Sequence, residues 1–316
     1  MKVLVLGYYH KQNAGDNFFT NSFTKLFPEI EFTFTNIIKS VKEYDAIFIG
    51  GGSLLDGPPR IAHEVFHQLL KKKICYLGVG TETDVHPTHL QLMEKAKLIA
   101  SRSVITPQLE RFKDKIIKIP DLVYSLYQTR PKEASEKKVL ILPNISVIPH
   151  FQDPIWKLSA WNYFKSEFAQ FVEYLILNKY QVNFGGLSSD PALNDLNVAN
   201  ELVNHMARRK DYNIALETDY SKLIDRMKDY SIVITQRYHG SILAQLARVP
   251  HLTLYHHDKL RGDYLNEGKY LSYYGVTKRT LIENFHALEQ EALPAELPLD
   301  PEVWTQFQKR VWQALA

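Results

Sequence analysis

Cysteine is almost missing from this chain: Cys75 is the one cysteine in 316 residues. A disulfide within the chain is excluded, so stability must come from buried apolar residues. Cys75 lies in the run Ile74-Cys75-Tyr76-Leu77, where it reads as a small buried hydrophobe. Long hydrophobic runs are missing too. No stretch approaches the roughly 20 apolar residues of a spanning helix, and the opening run Val3-Leu4-Val5-Leu6 is far shorter than a signal-peptide core. The expectation is a soluble, cytoplasmic protein with at most peripheral membrane association. Charge of one sign is also scarce, since 38 Lys and Arg face 35 Asp and Glu for a formal charge of +3. That is too little for a nucleic-acid stripe, so no nucleic-acid partner is expected and any anion is bound locally.

What is present is an ordinary globular balance, 45% hydrophobic and 23% charged, without the apolar depletion of disordered chains. The length favours two domains over one. Short apolar runs at 3–6, 46–49, 74–77 and 98–100 alternate with amphipathic stretches, the pattern of βα units on a parallel sheet. A polar segment over 127–138 reads as a linker, after which the rhythm restarts. Strands are expected at 139–142, 181–184 and 231–235, with helices near 159–178, 191–207 and 220–229. The fold class is therefore α/β, with two Rossmann-like doubly wound domains over residues 1–130 and 131–298. Residues 299–316 form a closing helix, because Val303, Trp304, Phe307, Val311, Trp312 and Leu315 fall near one helical face. Lys309 and Arg310 are too few cations to make it a membrane-surface helix.

Ligands of open parallel sheets bind beyond the carboxyl ends of the strands, so the loops there carry the chemistry. The first, 7–17, concentrates Asn13, Gly15 and Asp16 where a helix starts, and Asp16 also suits an ordinary helix cap. The second, Gly50-Gly51-Gly52-Ser53, lets backbone approach a ligand but lacks the spacing of a dinucleotide fingerprint or a P-loop. The third, 78–83, adds Glu82 as a cleft carboxylate. The most informative is Arg237-Tyr238-His239-Gly240-Ser241. An arginine fork suits a carboxylate or phosphate, a histidine two residues on can move a proton near neutral pH, and Gly240 and Ser241 would open a helix whose N–H groups add an anion site. In 255–263, Lys259 reads as an anion contact rather than His256, His257 and Asp258 as a metal set.

Taken in order, these motifs resemble the polysaccharide pyruvyl transferase family. The resemblance runs through most of the chain, on Asn13-Ala14-Gly15-Asp16, Gly50-Gly51-Gly52, Gly78-Val79-Gly80, Ser101-Arg102, Pro120-Asp121, Arg237-Tyr238-His239-Gly240, Val249-Pro250, and Tyr255 with Lys259. Two positions depart from the family pattern: Ser103 stands where an aspartate often follows the arginine, and Glu82 where the third loop often has glycine. The resemblance implies a GT-B-like arrangement of two domains facing across a cleft. It also implies transfer of a pyruvyl group from phosphoenolpyruvate to a sugar, lipid-linked acceptors included, giving a cyclic ketal and phosphate in capsule, exopolysaccharide or cell-wall synthesis. It places Arg237 and His239 at the donor, joined by Arg102 and Lys259, with Gly240 and Ser241 beside them. Asp16 is assigned to an acceptor hydroxyl. Asn13, Gly15, Gly51, Gly52, Glu82 and His150 line the cleft. No metal and no cofactor beyond the co-substrate is expected. A nucleotide-sugar glycosyltransferase and a non-catalytic glycan-binding protein are the alternatives.

Overall fold

The computed structural model describes residues 1–10, 13–81, 84–102, 106–127, 137–144, 154–190, 194–207, 212–214, 220–255, 268–291 and 297–316. The expectations placed on Glu82, His150 and Lys259, on 256–258 and on most of the 127–138 linker lie outside the described residues. The chain divides into two compact units. One comprises Met1–Lys11, Gly15–Tyr127 and Leu299–Ala316, the other Gln12–Ala14 and Gln128–Pro298.

The strands of the first unit are Lys2–Leu6 (β1), Glu31–Thr35 (β2), Ala46–Ser53 (β3), Lys73–Gly80 (β4), Leu98–Ser101 (β5) and Ile116–Lys118 (β6). They form one parallel sheet in the order β2-β1-β3-β4-β5-β6. The helices are Ala14–Leu26 (α1), Phe66–Leu69 (α2) and Pro87–Lys95 (α3). β3 and β4 are buried almost throughout, as continuous apolar runs covered on both faces should be. Edge strand β2 escapes a search for such runs because Glu31-Phe32-Thr33-Phe34-Thr35 alternates. Phe32 and Phe34 join Phe23 and Phe48 in a ring cluster with centroids 5.7–6.2 Å apart.

The second unit repeats the plan with Lys138–Leu142 (β7), Pro154–Leu177 (α4), Gln181–Phe184 (β8), Asp195–Asn204 (α5), Tyr212–Ile214 (β9), Tyr220–Met227 (α6), Ile232–Thr235 (β10), Tyr238–Leu246 (α7), His251–Tyr255 (β11), Lys269–Ser272 (β12) and Lys278–Glu289 (α8). Its parallel sheet runs β12-β11-β10-β7-β8-β9. One expectation is corrected here. α7 does not open at Gly240 and Ser241 but at Tyr238, because Arg237 is its extended N-cap and donates its N–H to Thr235 Oγ1 at 3.0 Å.

The last helix, Glu302–Leu315 (α9), belongs to the first unit and packs along β4 and β5. Phe307, Val311 and Leu315 are buried, and the Phe27 ring meets Phe307 and Trp312 edge-on at 5.7 and 6.2 Å. No described helix is long and apolar enough to cross a membrane. Cys75 is fully buried in β4, and loss of solvation pushes its thiol up to about 12 despite the opposing charge of Lys97.

Beside Cys75 in β4, the Tyr76 hydroxyl meets Nδ1 of buried His89 at 3.0 Å. Burial, opposed by the nearby Leu54 and Gly57 carbonyls, lowers the imidazole from 6.5 to about 4. The unfolded chain therefore holds more protons than the fold between these values. His89's contribution is complete above about pH 6.5 and is lost as pH falls towards 4. In urea titrations, acidification from pH 7 to pH 5 should cost about 2 kcal/mol through this residue. His89→Gln should lose that share of the pH dependence, and an unchanged pH slope would show that the imidazole titrates normally.

Candidate functional site

Each unit gathers polar groups at the carboxyl ends of its strands. In the first, Gly51 has φ +76°, and a Cβ there would fall 2.6 Å from the Phe19 ring of α1. The glycines expected in loops lie inside strands instead, Gly50, Gly51 and Gly52 in β3 and Gly78 and Gly80 in β4, with Gly50 paired to Leu77 and Gly52 to Val79. The end of β3 is drawn against the first turns of α1, with Asp16 Oδ1 at 3.7 Å from where a Gly52 Cβ would stand. Tyr9 donates its hydroxyl to Gly50 O at 2.9 Å, and burial, then the Asp16 charge, raise its phenol well above the ordinary value. It remains a protonated donor that pins the end of β3. Gly15 is buried in the same first turn of α1.

Arg102, directly after β5, is held from two sides. Its Nη1 pairs with Asp121 and its Nη2 donates to Ser53 Oγ at 3.2 Å, with the side chain 4% exposed and that of Asp121 0%. Asp121 also accepts from Val123 N at 3.0 Å, capping the short 3-10 turn Leu122–Leu126. Arg102 therefore fastens the end of β3 to the turn after β6.

In the second unit β10 delivers Gln236 and Arg237 to the start of α7. Arg237 presents its Nε–H to both oxygens of Asp195 at 3.2 Å, and its Nη2 also pairs with Oδ1. Asp195 Oδ2 in turn accepts from Leu187 N at 2.8 Å and Ser188 N at 3.1 Å. Burial raises the Asp195 carboxyl, while the Arg237 charge and the two backbone donors pull the other way. His239 occupies the first turn of α7 and meets the Tyr238 ring edge-on at 5.4 Å. Gln236 Oε1 accepts from Asn144 N at 3.0 Å, joining the ends of β7 and β10. Asn13 pairs with Ser188 in an isolated bridge, and Ala14 donates its N–H to Leu187 O at 2.6 Å.

A family model for polysaccharide pyruvyl transferases matches residues 3–258. The chain belongs to the polysaccharide pyruvyl transferase family. It is a pyruvyl transferase acting on polysaccharide, and the family match takes in both strand-end clusters. No curated protein sequence matches it. Among solved structures it is similar to UDP-GlcNAc 2-epimerase of Methanocaldococcus jannaschii, at 11% identity and TM-score 0.63 over 99% of each chain. It is also similar to UDP-GlcNAc 2-epimerase of Neisseria meningitidis, at 12% and 0.56 over 99% of this chain and 100% of that one. MurG of Acinetobacter baumannii follows at 10% and 0.54 over 99% of each. At such identities these likenesses establish the GT-B-like fold alone.

Within this pyruvyl transferase, Arg237 is the N-cap of α7, and His239 and Gly240 lie in its first turn. Ser241 points elsewhere: its hydroxyl is buried, 3.2 Å from His251 Nε2 and 3.4 Å from Gln245 Nε2. Gly240 has a packing duty, since a Cβ there would lie 2.2 Å from Thr235 Oγ1 and 3.0 Å from its Cβ. Asp195 escapes sequence reasoning. It lies 42 residues before Arg237 and reads as an ordinary acidic residue in a first helical turn. The glycine contact sets a test. Gly240→Ala should destabilise the protein by about 1–3 kcal/mol in denaturant unfolding, whereas Gly57→Ala, with nothing within 4 Å, should be near neutral. Equal effects would show that α7 yields to the extra methyl.

Proposed function

We propose that this transferase takes the pyruvyl group of phosphoenolpyruvate and joins it to two hydroxyls of a sugar unit as a cyclic ketal, releasing phosphate. The observation that carries the reading is the placement of Arg237 and His239 together at the opening of α7, beyond the carboxyl end of β10. A guanidinium beside a helix N-terminus suits a ligand with a carboxylate and a phosphate, because the fork and the outward N–H groups both favour negative charge. Arg237 meets Asp195 through its Nε and Nη2 edge, and we assign the donor anion to this guanidinium. The contacts of Arg102 engage both of its Nη nitrogens, so it is left out of the donor clamp. Lys259 is retained as a further anion contact.

The chemistry balances without a redox partner. His239 delivers a proton to the methylene carbon of the donor, and the central carbon becomes an electrophile that one sugar hydroxyl attacks. The second hydroxyl then attacks the same carbon as the bond to the phosphate oxygen breaks. One of the two hydroxyl protons restores His239 and the other leaves with phosphate. Asp16 is assigned to orienting an acceptor hydroxyl. The donor's charge is met by guanidinium and helix dipole, so the reaction needs no divalent metal.

Incubation with phosphoenolpyruvate and a panel of galactosides, glucosides and mannosides should give phosphate and a ketal adduct by mass, with EDTA present. Nucleotide release from a sugar nucleotide, with no ketal, would overturn the reading.

Two variants separate the roles. Arg237→Ala loses a charge-assisted contact worth about 1.5–3 kcal/mol and should weaken donor binding about tenfold or more. His239→Gln should leave donor affinity within about a few-fold while turnover falls on the order of 100-fold. Near-normal turnover in the histidine variant would remove it from proton transfer.

A further inference from the structure

We propose that Asp195 is the positioning residue of the donor site, fixing the direction of the Arg237 fork and, through the same carboxylate, the turn of Leu187 and Ser188 to which Asn13 bridges. The inference rests on the donor reading above. Asp195 has a fully buried side chain, and both of its oxygens are in use. One edge of the carboxylate faces Arg237 through Nε and Nη2, and Oδ2 gathers the N–H groups of Leu187 and Ser188. The Asp195 N–H returns to Ser188 O at 3.1 Å, and Asn194 caps α5 by accepting from Leu196 N at 2.9 Å. The carboxylate is thus anchored by backbone on two sides before it meets the guanidinium. The turn it anchors is the one that bridges Asn13 and accepts the Ala14 N–H.

An arginine side chain turns about several bonds, and a fork must be planar with its anion to donate two parallel hydrogen bonds. Engaging the Nε and Nη2 edge holds the plane of the guanidinium in one bearing. Asp195 also carries a negative charge, which works against an anionic ligand through Coulomb repulsion. These two influences have opposite signs in a binding experiment.

Asp195→Asn keeps the size and one acceptor oxygen but removes the charge. Positioning predicts that the phosphoenolpyruvate dissociation constant rises about tenfold or more although the site gains positive charge. The donor KM should rise with it while kcat changes little, and Asp195→Asn should add no further loss in an Arg237→Ala background. Tighter or unchanged donor binding would overturn the inference, as would a fall in kcat with KM unchanged, the mark of a merely structural role.

Arginine labelled with 15N in the unsubstituted protein gives a second measurement should Asp195→Asn not fold. The Arg237 Nε–H, assigned by its loss in Arg237→Lys, should exchange slowly with solvent both with and without phosphoenolpyruvate. Fast exchange in a protein that binds the donor would overturn the inference alone. A protected Nε–H in a protein that binds no phosphoenolpyruvate would instead defeat the donor reading and leave the fixed guanidinium supported.

Discussion

A buried carboxylate that holds an arginine at the end of a parallel strand recurs in both units: Asp121 with Arg102, and Asp195 with Arg237. Such pairs are poor sources of net stability, because both ions lose their hydration. Removing one partner is another matter, since an uncompensated buried charge costs about 3–5 kcal/mol. What the pairs supply is direction. Each carboxylate also takes backbone N–H groups, from Val123 in one unit and from Leu187 and Ser188 in the other, so each arginine is tied to main chain through a rigid intermediary.

The two pairs serve different ends. Arg102 is 4% exposed and reaches Ser53, so it secures the end of β3, whose glycines approach α1. Arg237 keeps 12% exposure and stands at a helix opening beside His239. The same residue type is internal scaffolding in one place and a candidate ligand contact in the other. What separates them is setting: one is enclosed between the end of β3 and the turn after β6, the other stands where a helix opens.

The likeness to UDP-GlcNAc 2-epimerases and to MurG spans nearly the whole chain at 10–12% identity. One plan of two parallel sheets with helices on their faces thus serves different reactions, and the chemistry resides in the loops at the strand ends. It is the family match over 3–258, and not the fold, that makes this chain a pyruvyl transferase.

Much was legible before any coordinates. Buried parallel strands are continuous apolar runs, so β1, β3, β4, β5, β7 and β10 announce themselves, and the ordered motifs name the family. Edge strands were not legible, because a half-exposed strand such as β2 alternates and short strands such as β6 and β9 carry too few residues to show a period. Nor was the opening of α7, which depends on Thr235 taking the Arg237 N–H and on a close approach that Gly240 permits. Linear sequence determines which residues stand at a strand end, since that is local. Which distant carboxylate meets which arginine is settled by the packing of separate helices and turns, and so the pairing of Asp121 with Arg102 and of Asp195 with Arg237 was decided by tertiary structure.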